Sequence, residues 1–479
     1  MTFRLSCVAL IALTAACSNA STTSSGGPAA AGIGGTPGSA GTASNLAAGG
    51  GGASSGAASA GGASSNAGGR AGSTQSDVDA SVPDAAPDGA PSQPPTFVHA
   101  VQDQLLDGSG AHLLFRTAAI GNWLLNEGYA LQLDGDSADR SRRIEARVTE
   151  MIGATAAAPF WQSYRDNYIT EADFARMQAL GFNSVRVAMN ARLLLPEGQD
   201  QFDETEFKHL SDVVEWGGRH EIYVIFDMHG APGGQTGRNI DDDINDTPDL
   251  FTIKDNQDRL VKLWTEIARR FAQSPTVAGY DLLNEPLPAQ FFAQYNPQLY
   301  PLYQRVGQAI RVVDPNHLLI VEGSDWADNW STLGAPFDDN MAYSFHKYWN
   351  ASDISSIQSY LDYRKQWKRP IWCGEIGEND DDWYQANFKL LEDNDIGWSF
   401  WAWKKLDSGN NPYSVRLPTG WDLIQAYASN PSSTKPDPAK ALAALDGLLD
   451  NIKFANCDFN KDAVCSLTPV LSQQPLCTN

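Results

Sequence analysis

From about residue 113 to residue 451, short apolar runs alternate with amphipathic stretches, and no other feature limits the fold so strongly. Eight runs can be counted, at Leu113–Leu125, Ser184–Met189, Ile222–His229, Ala278–Glu285, Leu318–Glu322, Met341–Tyr348, Ile371–Ile376 and Gly397–Trp403. The helical patterns between them include Glu171–Leu180, Glu204–Arg219, Gln257–Phe271, Pro301–Val313, Asp353–Gln366 and Trp383–Asp393, with a last one at Pro438–Asn451. Repeated β-α units of this kind build a parallel sheet. Eight of them in strict alternation predict an α/β fold of the (β/α)8 TIM-barrel type, whose active site gathers at the C-terminal ends of the strands. The segment 140–168 precedes the first barrel helix and reads as a helical insertion. One domain over 96–479 is expected.

The N-terminal fifth has too few large apolar side chains to form a core. Residues 1–17 read as a signal peptide: Arg4 supplies a positive end, and Val8–Ala16 is too short to span a bilayer. Cleavage before Cys17 would leave a lipid-anchored protein, and cleavage after Ala20 a freely secreted one. Either way the chain is expected outside the cytoplasm, as an outer-surface lipoprotein of a bacterium or an extracellular protein. Residues 18–95, rich in Gly, Ala, Ser and Pro, read as a flexible linker of about 45–50 Å root-mean-square reach.

A formal charge of -23 opposes a nucleic-acid or anionic-membrane partner, and leaves a neutral carbohydrate unopposed. The runs Asp241–Asp243 and Asp380–Asp382 read as solvated loops, and Asp458, Asn460 and Asp462 as a capping turn, because Ala463 stands where a calcium loop needs Gly. No metal or organic cofactor is assigned, and a monomer is expected. Cys373 reads as a packed core residue. One disulfide among Cys457, Cys465 and Cys477 is expected.

Polar residues interrupt the apolar strands at the ends where a barrel works: Glu127, Arg186, His229, Asn284, Glu285, His346, Tyr348 and Glu375. A carboxylate in a strand as apolar as Ile371-Trp372-Cys373 is costly to bury unless it is paired or used. Two such carboxylates, on the fourth and seventh strands, suit glycoside hydrolysis, in which one acid protonates the leaving oxygen and one carboxylate attacks the anomeric carbon.

Six motifs in register resemble glycoside hydrolase family 5: Ser184-Val185-Arg186-Val187, Asp227-Met228-His229-Gly230-Ala231-Pro232-Gly233, Asp281-Leu282-Leu283-Asn284-Glu285-Pro286, His346-Lys347-Tyr348, Gly374-Glu375 and Phe400-Trp401-Ala402-Trp403. The resemblance implies Glu285 as acid/base, Glu375 as nucleophile, and Asn284 on the sugar 2-hydroxyl. It places Arg186 and Tyr348 against the nucleophile, His229 and His346 on substrate hydroxyls and carboxylate orientation, and Trp401 against the sugar ring, with Trp403 as the alternative platform. Gly121-Asn122-Trp123-Leu124-Leu125-Asn126-Glu127 resembles the first strand of the exo-β-1,3-glucanase and β-glucosidase branch, which implies that Glu127 binds outer hydroxyls of a terminal sugar. The competing reading of Glu127 is a cap, or a partner for an arginine of 140–147. Glu378, three residues past the nucleophile, is a departure from the family pattern and reads as a loop residue, substrate-binding or solvated.

The implied activity is a retaining β-glycosidase on β-glucans or β-glucosides, exo-acting. The alternatives are an endo-acting β-1,4-glucanase or mannanase, and a non-catalytic polysaccharide-binding surface protein.

Overall fold

The computed structural model describes residues 97–133, 135–467, 471 and 477. The expected signal peptide 1–17 with Cys17, and the linker 18–95, lie outside the described residues.

Eight parallel strands close into a barrel: β1 (Arg116–Ile120), β2 (Ser184–Asn190), β3 (Tyr223–Gly230), β4 (Val277–Asp281), β5 (Leu318–Glu322), β6 (Met341–Lys347), β7 (Ile371–Gly377) and β8 (Gly397–Trp401), with β8 paired to β1. Alternation along each strand sorts the side chains, because successive residues point to opposite faces. On β2, Val185, Val187 and Met189 face the helices, so Arg186 faces the barrel axis. On β3, Val224, Phe226 and Met228 pack outward while Ile225 joins the barrel interior. The interior is stratified. Ile225, Ala278, Leu318, Ile320, Ala342 and Trp372 fill its lower part, and Val98 and Leu105 of an N-terminal hairpin pack beneath them. Ala119 and Ala188, small residues higher up, leave room for Trp401.

Glu375 depends on an irregularity. In the pairing of β6 with β7, Phe345 faces Cys373 but His346 faces Glu375, so Gly374 is the extra residue of a bulge. Cys373 packs outward and is fully buried, as expected of a core residue, and the bulge turns Glu375 back to the axis.

Strict alternation fails at one place. Between β5 and β6 the chain forms only the single 3-10 turn Trp330–Thr332, around which Tyr343, Tyr360 and Tyr363 pack as a substitute for a helix. The helix before β5 begins earlier than Pro301: it spans Phe292–Val313 with Pro297 and Pro301 inside, because burial of Leu299, Leu302 and Tyr303 outweighs the lost hydrogen bonds. The 140–168 segment is two helices, Ser141–Ile152 and Ala154–Tyr168. The run Asp241–Asp243 is not solvated. All three side chains are buried, because Arg140, Arg142, Arg192 and Thr236 supply partners for them. Asn460 caps the helix Lys461–Leu467 by accepting from the Ala463 N–H, and Cys465 is bridged to Cys477.

Candidate active site

The carboxyl-terminal ends of the strands surround a cavity of about 530 Å³, a size suited to one or two sugar rings. Glu127, His229, Glu285, His346, Tyr348, Glu375 and Trp401 all line it. Arg186 and Asn284 do not: both are fully buried beneath the floor.

Arg186 organises that floor. Its guanidinium donates to Glu375 at 2.5 Å, to Asp281 at 2.9 Å, to Asn284 Oδ1 at 2.8 Å and to Glu322 at 3.1 Å, and it lies 3.2 Å from Asp227. The carboxamide oxygen of Asn284 thereby braces the arginine, and its Nδ2 lies 3.4 Å from His229 Nε2. Tyr348 donates its hydroxyl to the other oxygen of Glu375 at 2.8 Å. Burial pushes the Glu375 carboxyl up, but the positive charges of His346, Arg186 and His229 outweigh burial and hold it below the usual carboxylate range. It is ionised.

Glu285 has the opposite balance. Burial raises its pKa, with Glu375 and Glu322 adding to the rise and His346 opposing it. An oxygen of Glu285 and one of Glu375 lie within 4.8 Å of each other. Two carboxyl groups with pKa values driven apart form an acid and a nucleophile or base.

His346 joins the two ends of this network. Burial disfavours its charge, but Glu322, Glu375 and Glu285 raise its pKa well above the ordinary value, and as an imidazolium it donates from Nδ1 to Glu285 at 2.6 Å and from Nε2 to Glu322 at 3.1 Å. His229 donates from Nδ1 to Asp227 at 2.8 Å. Against the cost of burial, that aspartate lifts its pKa to about 9.

The cavity wall holds the remaining candidates. Glu127 makes no ion pair with any arginine of 140–147; Arg140 is committed to Asp139, Asp243 and Asp246. Burial pushes the Glu127 carboxyl up to about 8, so at neutral pH it is a hydrogen-bond donor. Trp401 is at the wall, but its indole is stacked on the His229 ring at 5.0 Å and 3°, which leaves one face fewer for a sugar. Trp403 is buried, donates to Asp173 and does not line the cavity. Glu378 is neither free nor solvated: Lys405 holds it at 2.8 Å, and it lines the rim.

Several site residues carried too weak a sequence signal to be singled out. Glu322 ends β5 fully buried, and His346 and Arg186 depress its pKa to about 2 against the effect of burial. Its position at a strand end was the available clue. Tyr129, which opens the single 3-10 turn Tyr129–Leu131, and Trp326 and Trp349, from loops, line the cavity where one sequence offers no periodicity to read. Two trios, Asp227-His229-Glu375 and Glu285-His346-Glu375, have the spacing of metal ligands, but in each the histidine already donates to a carboxylate of the same trio.

A parallel eight-stranded barrel with two buried glutamates facing each other at its mouth, one with its pKa lowered and the other with its pKa raised, has the architecture of the glycoside-hydrolase class of enzyme. Residues 145–407 match the cellulase family (glycosyl hydrolase family 5), and the chain belongs to that family. It is 28% identical over 348 residues to a beta-xylosidase of Phanerodontia chrysosporium, an alignment that covers 63% of this chain and 70% of the relative. It is also 28% identical over 252 residues to the probable glucan 1,3-beta-glucosidase A of Emericella nidulans, covering 52% of this chain and 61% of that one. A crystal structure of an endogalactoceramidase shares the fold, with TM-score 0.50 at 18% identity over 75% of this chain and 84% of the other.

Proposed function

We propose that the chain is a retaining β-glycosidase that acts on β-glucans or β-glucosides from the non-reducing end. The observation that carries this reading is the approach of Glu285 and Glu375 to within 4.8 Å, near the separation of about 5–5.5 Å used for double displacement and short of the roughly 6.5–9.5 Å that leaves room for an inverting water. Glu375, kept ionised by Arg186 and Tyr348, attacks the anomeric carbon. Glu285 gives its proton to the departing glycosidic oxygen, and a glycosyl ester forms on Glu375. Glu285, now a carboxylate, takes a proton from water as that water attacks the same carbon, and the sugar leaves with its configuration retained. Both steps use carboxyl chemistry alone, so turnover is expected to survive EDTA.

The exo mode rests on Glu127 and Tyr129, which stand after β1 and border the cavity. A protonated Glu127 suits the free hydroxyls of a terminal sugar, groups that an internal unit engages in linkages. Export through residues 1–17, with anchoring at Cys17 or release after Ala20, suits a polymeric substrate outside the cell. The test is proton NMR of the first product from aryl β-glucosides, aryl β-xylosides and β-1,3-, β-1,4- and β-1,6-glucans. A β-anomer formed first and steady release of small sugars support the proposal. An α-anomer formed first overturns the retaining mechanism, and a fast viscosity drop with little small sugar overturns exo action.

A further inference from the structure

Two buried acids stand side by side beneath the cavity. Asp227 of β3 and Asp281 of β4 are in-register neighbours across the parallel pairing, and neither has any exposed surface. Adjacent strands lie about 4.8 Å apart, and two carboxylates at that spacing, out of water, do not both ionise unless each has cationic support. The support is unequal. One oxygen of Asp227 accepts from His229 Nδ1 at 2.8 Å, and the other, though not in line for a hydrogen bond, lies 3.2 Å from Arg186 Nη2. Asp281 is held on one oxygen alone, by Arg186 Nε at 2.9 Å, and its Oδ1 has no hydrogen-bond partner among the described residues.

The other acids of the floor have more donors. Glu322 accepts from Arg186, His346 and the Glu285 backbone N–H, and Glu375 accepts from Arg186 and Tyr348. The charges do not balance either. With Glu285 protonated as the acid, the cations Arg186, His229 and His346 face four acids, Asp227, Asp281, Glu322 and Glu375. All are buried, so water does not disperse the surplus negative charge. One further proton brings the floor to three against three, and Asp281, with a single donor on a single oxygen, gives up least by carrying it.

The charged groups that face Asp281 are Arg186 on β2, Asp227 on β3, Glu322 on β5 and His346 on β6, with Glu375 on β7 held by the same arginine. Burial and the negative charges of Glu322 and Asp227 raise its pKa well above the ordinary value, against Arg186 and His346. An ionised Asp281 would compete with Glu375 for the Arg186 charge. A neutral one accepts the same hydrogen bond and leaves that charge to the nucleophile.

We propose that Asp281 is an un-ionised carboxylic acid in the resting enzyme and a positioning residue for Glu375, keeping the Arg186 guanidinium in place without drawing on its charge. The inference rests on the roles given above to Glu285 and Glu375. The test uses the full chain and Asp281→Asn, whose amide has the shape and charge of the un-ionised acid, beside Asp281→Leu, which offers Arg186 no acceptor. In the infrared difference spectrum of wild type minus Asp281→Asn at neutral pH, a carboxylic C=O band with no accompanying carboxylate band is expected. On 4-nitrophenyl β-glucoside, Asp281→Asn is expected to lower kcat about threefold and to keep the acidic limb of the pH profile within about 0.3 unit of wild type; Asp281→Leu is expected to lower kcat about 100-fold. A carboxylate band in that difference spectrum overturns the proposal. So does an acidic limb displaced downward by about one unit or more, which is the effect of removing a real negative charge beside Glu375. Equal kcat in the two variants overturns the positioning role. If neither variant folds, wild type carrying carboxyl-labelled aspartate decides: above neutral pH, where Asp241 with its pKa of about 6 is ionised, a label-sensitive aspartic C=O band supports the proposal and its absence overturns it. Failure of the folded wild type to cleave any aryl glycoside overturns the β-glycosidase reading instead, and the infrared comparison still decides the state of Asp281.

Discussion

The carboxylate of Glu322 accepts the backbone N–H of Glu285 at 2.7 Å, and this bond holds Glu285, the acid of the proposed mechanism, in a left-handed conformation with φ of 43°. A non-glycine residue persists there only when its surroundings fix it. Glu322 also accepts from His346 and Arg186, so one buried carboxylate on β5 braces the surroundings of both Glu285 and Glu375.

Glu322→Gln is therefore expected to lower kcat by about 10–100-fold with a smaller change in KM, since small displacements of a reacting group are costly. Because the defect lies behind the acid, substrates with poor leaving groups should suffer most. A plot of log kcat against leaving-group pKa measures this, and an equal loss for all aglycones would contradict it.

Glu375→Ala should abolish turnover, by on the order of 10^4-fold or more, and added azide should then yield the α-glycosyl azide. Glu285→Gln should spare substrates whose leaving group needs no proton. Chemical analysis of the azide product separates the two roles: a β-azide from Glu375→Ala would exchange them.

The pH profile should be bell-shaped. Glu375, with a pKa below the ordinary value, must be ionised, so the acidic limb falls at low pH; Glu285, raised, must be protonated, so activity declines as pH rises. Glu127 loses its proton near pH 8 and with it the ability to donate to a sugar hydroxyl. Glu127→Gln keeps a donor at every pH and should remove that part of the alkaline fall in kcat/KM. An unchanged alkaline limb in this variant would exclude Glu127 from sugar binding.

Gly374→Ala places a Cβ against the Ser344 hydroxyl and close to the His346 ring. The bulge that aims Glu375 has no room for it. A loss of about 1–3 kcal/mol in denaturant unfolding is expected, together with a loss of kcat larger than the stability change explains. Wild-type activity in this variant would show that the bulge is not needed.

The barrel, its eight strands and the two glutamates were legible in the chain because each rests on a local pattern. Short apolar runs, amphipathic helices and the short motifs around Arg186, Asn284-Glu285, His346 and Glu375 read the same way in any tertiary setting. No helical pattern could be located between the fifth and sixth runs, and only the tertiary structure shows that aromatic packing around Trp330 fills the place of the eighth helix that strict alternation requires. The burial of Asp241–Asp243 was hidden for the same kind of reason: its arginine partners include Arg140 and Arg142, about a hundred residues away in sequence.

The sequence by itself determined the fold class and the pair of carboxylates, because burying acids in apolar strands restricts what those acids can be for. Only the tertiary structure decided that their pKa values move in opposite directions, since that depends on the distances of Arg186, His346 and Tyr348 from Glu375 and on Glu322, a residue no motif marked. It also decided that Gly374 turns Glu375 inward. Loops and bulges take their shape from what packs against them, and that information is spread over the whole chain.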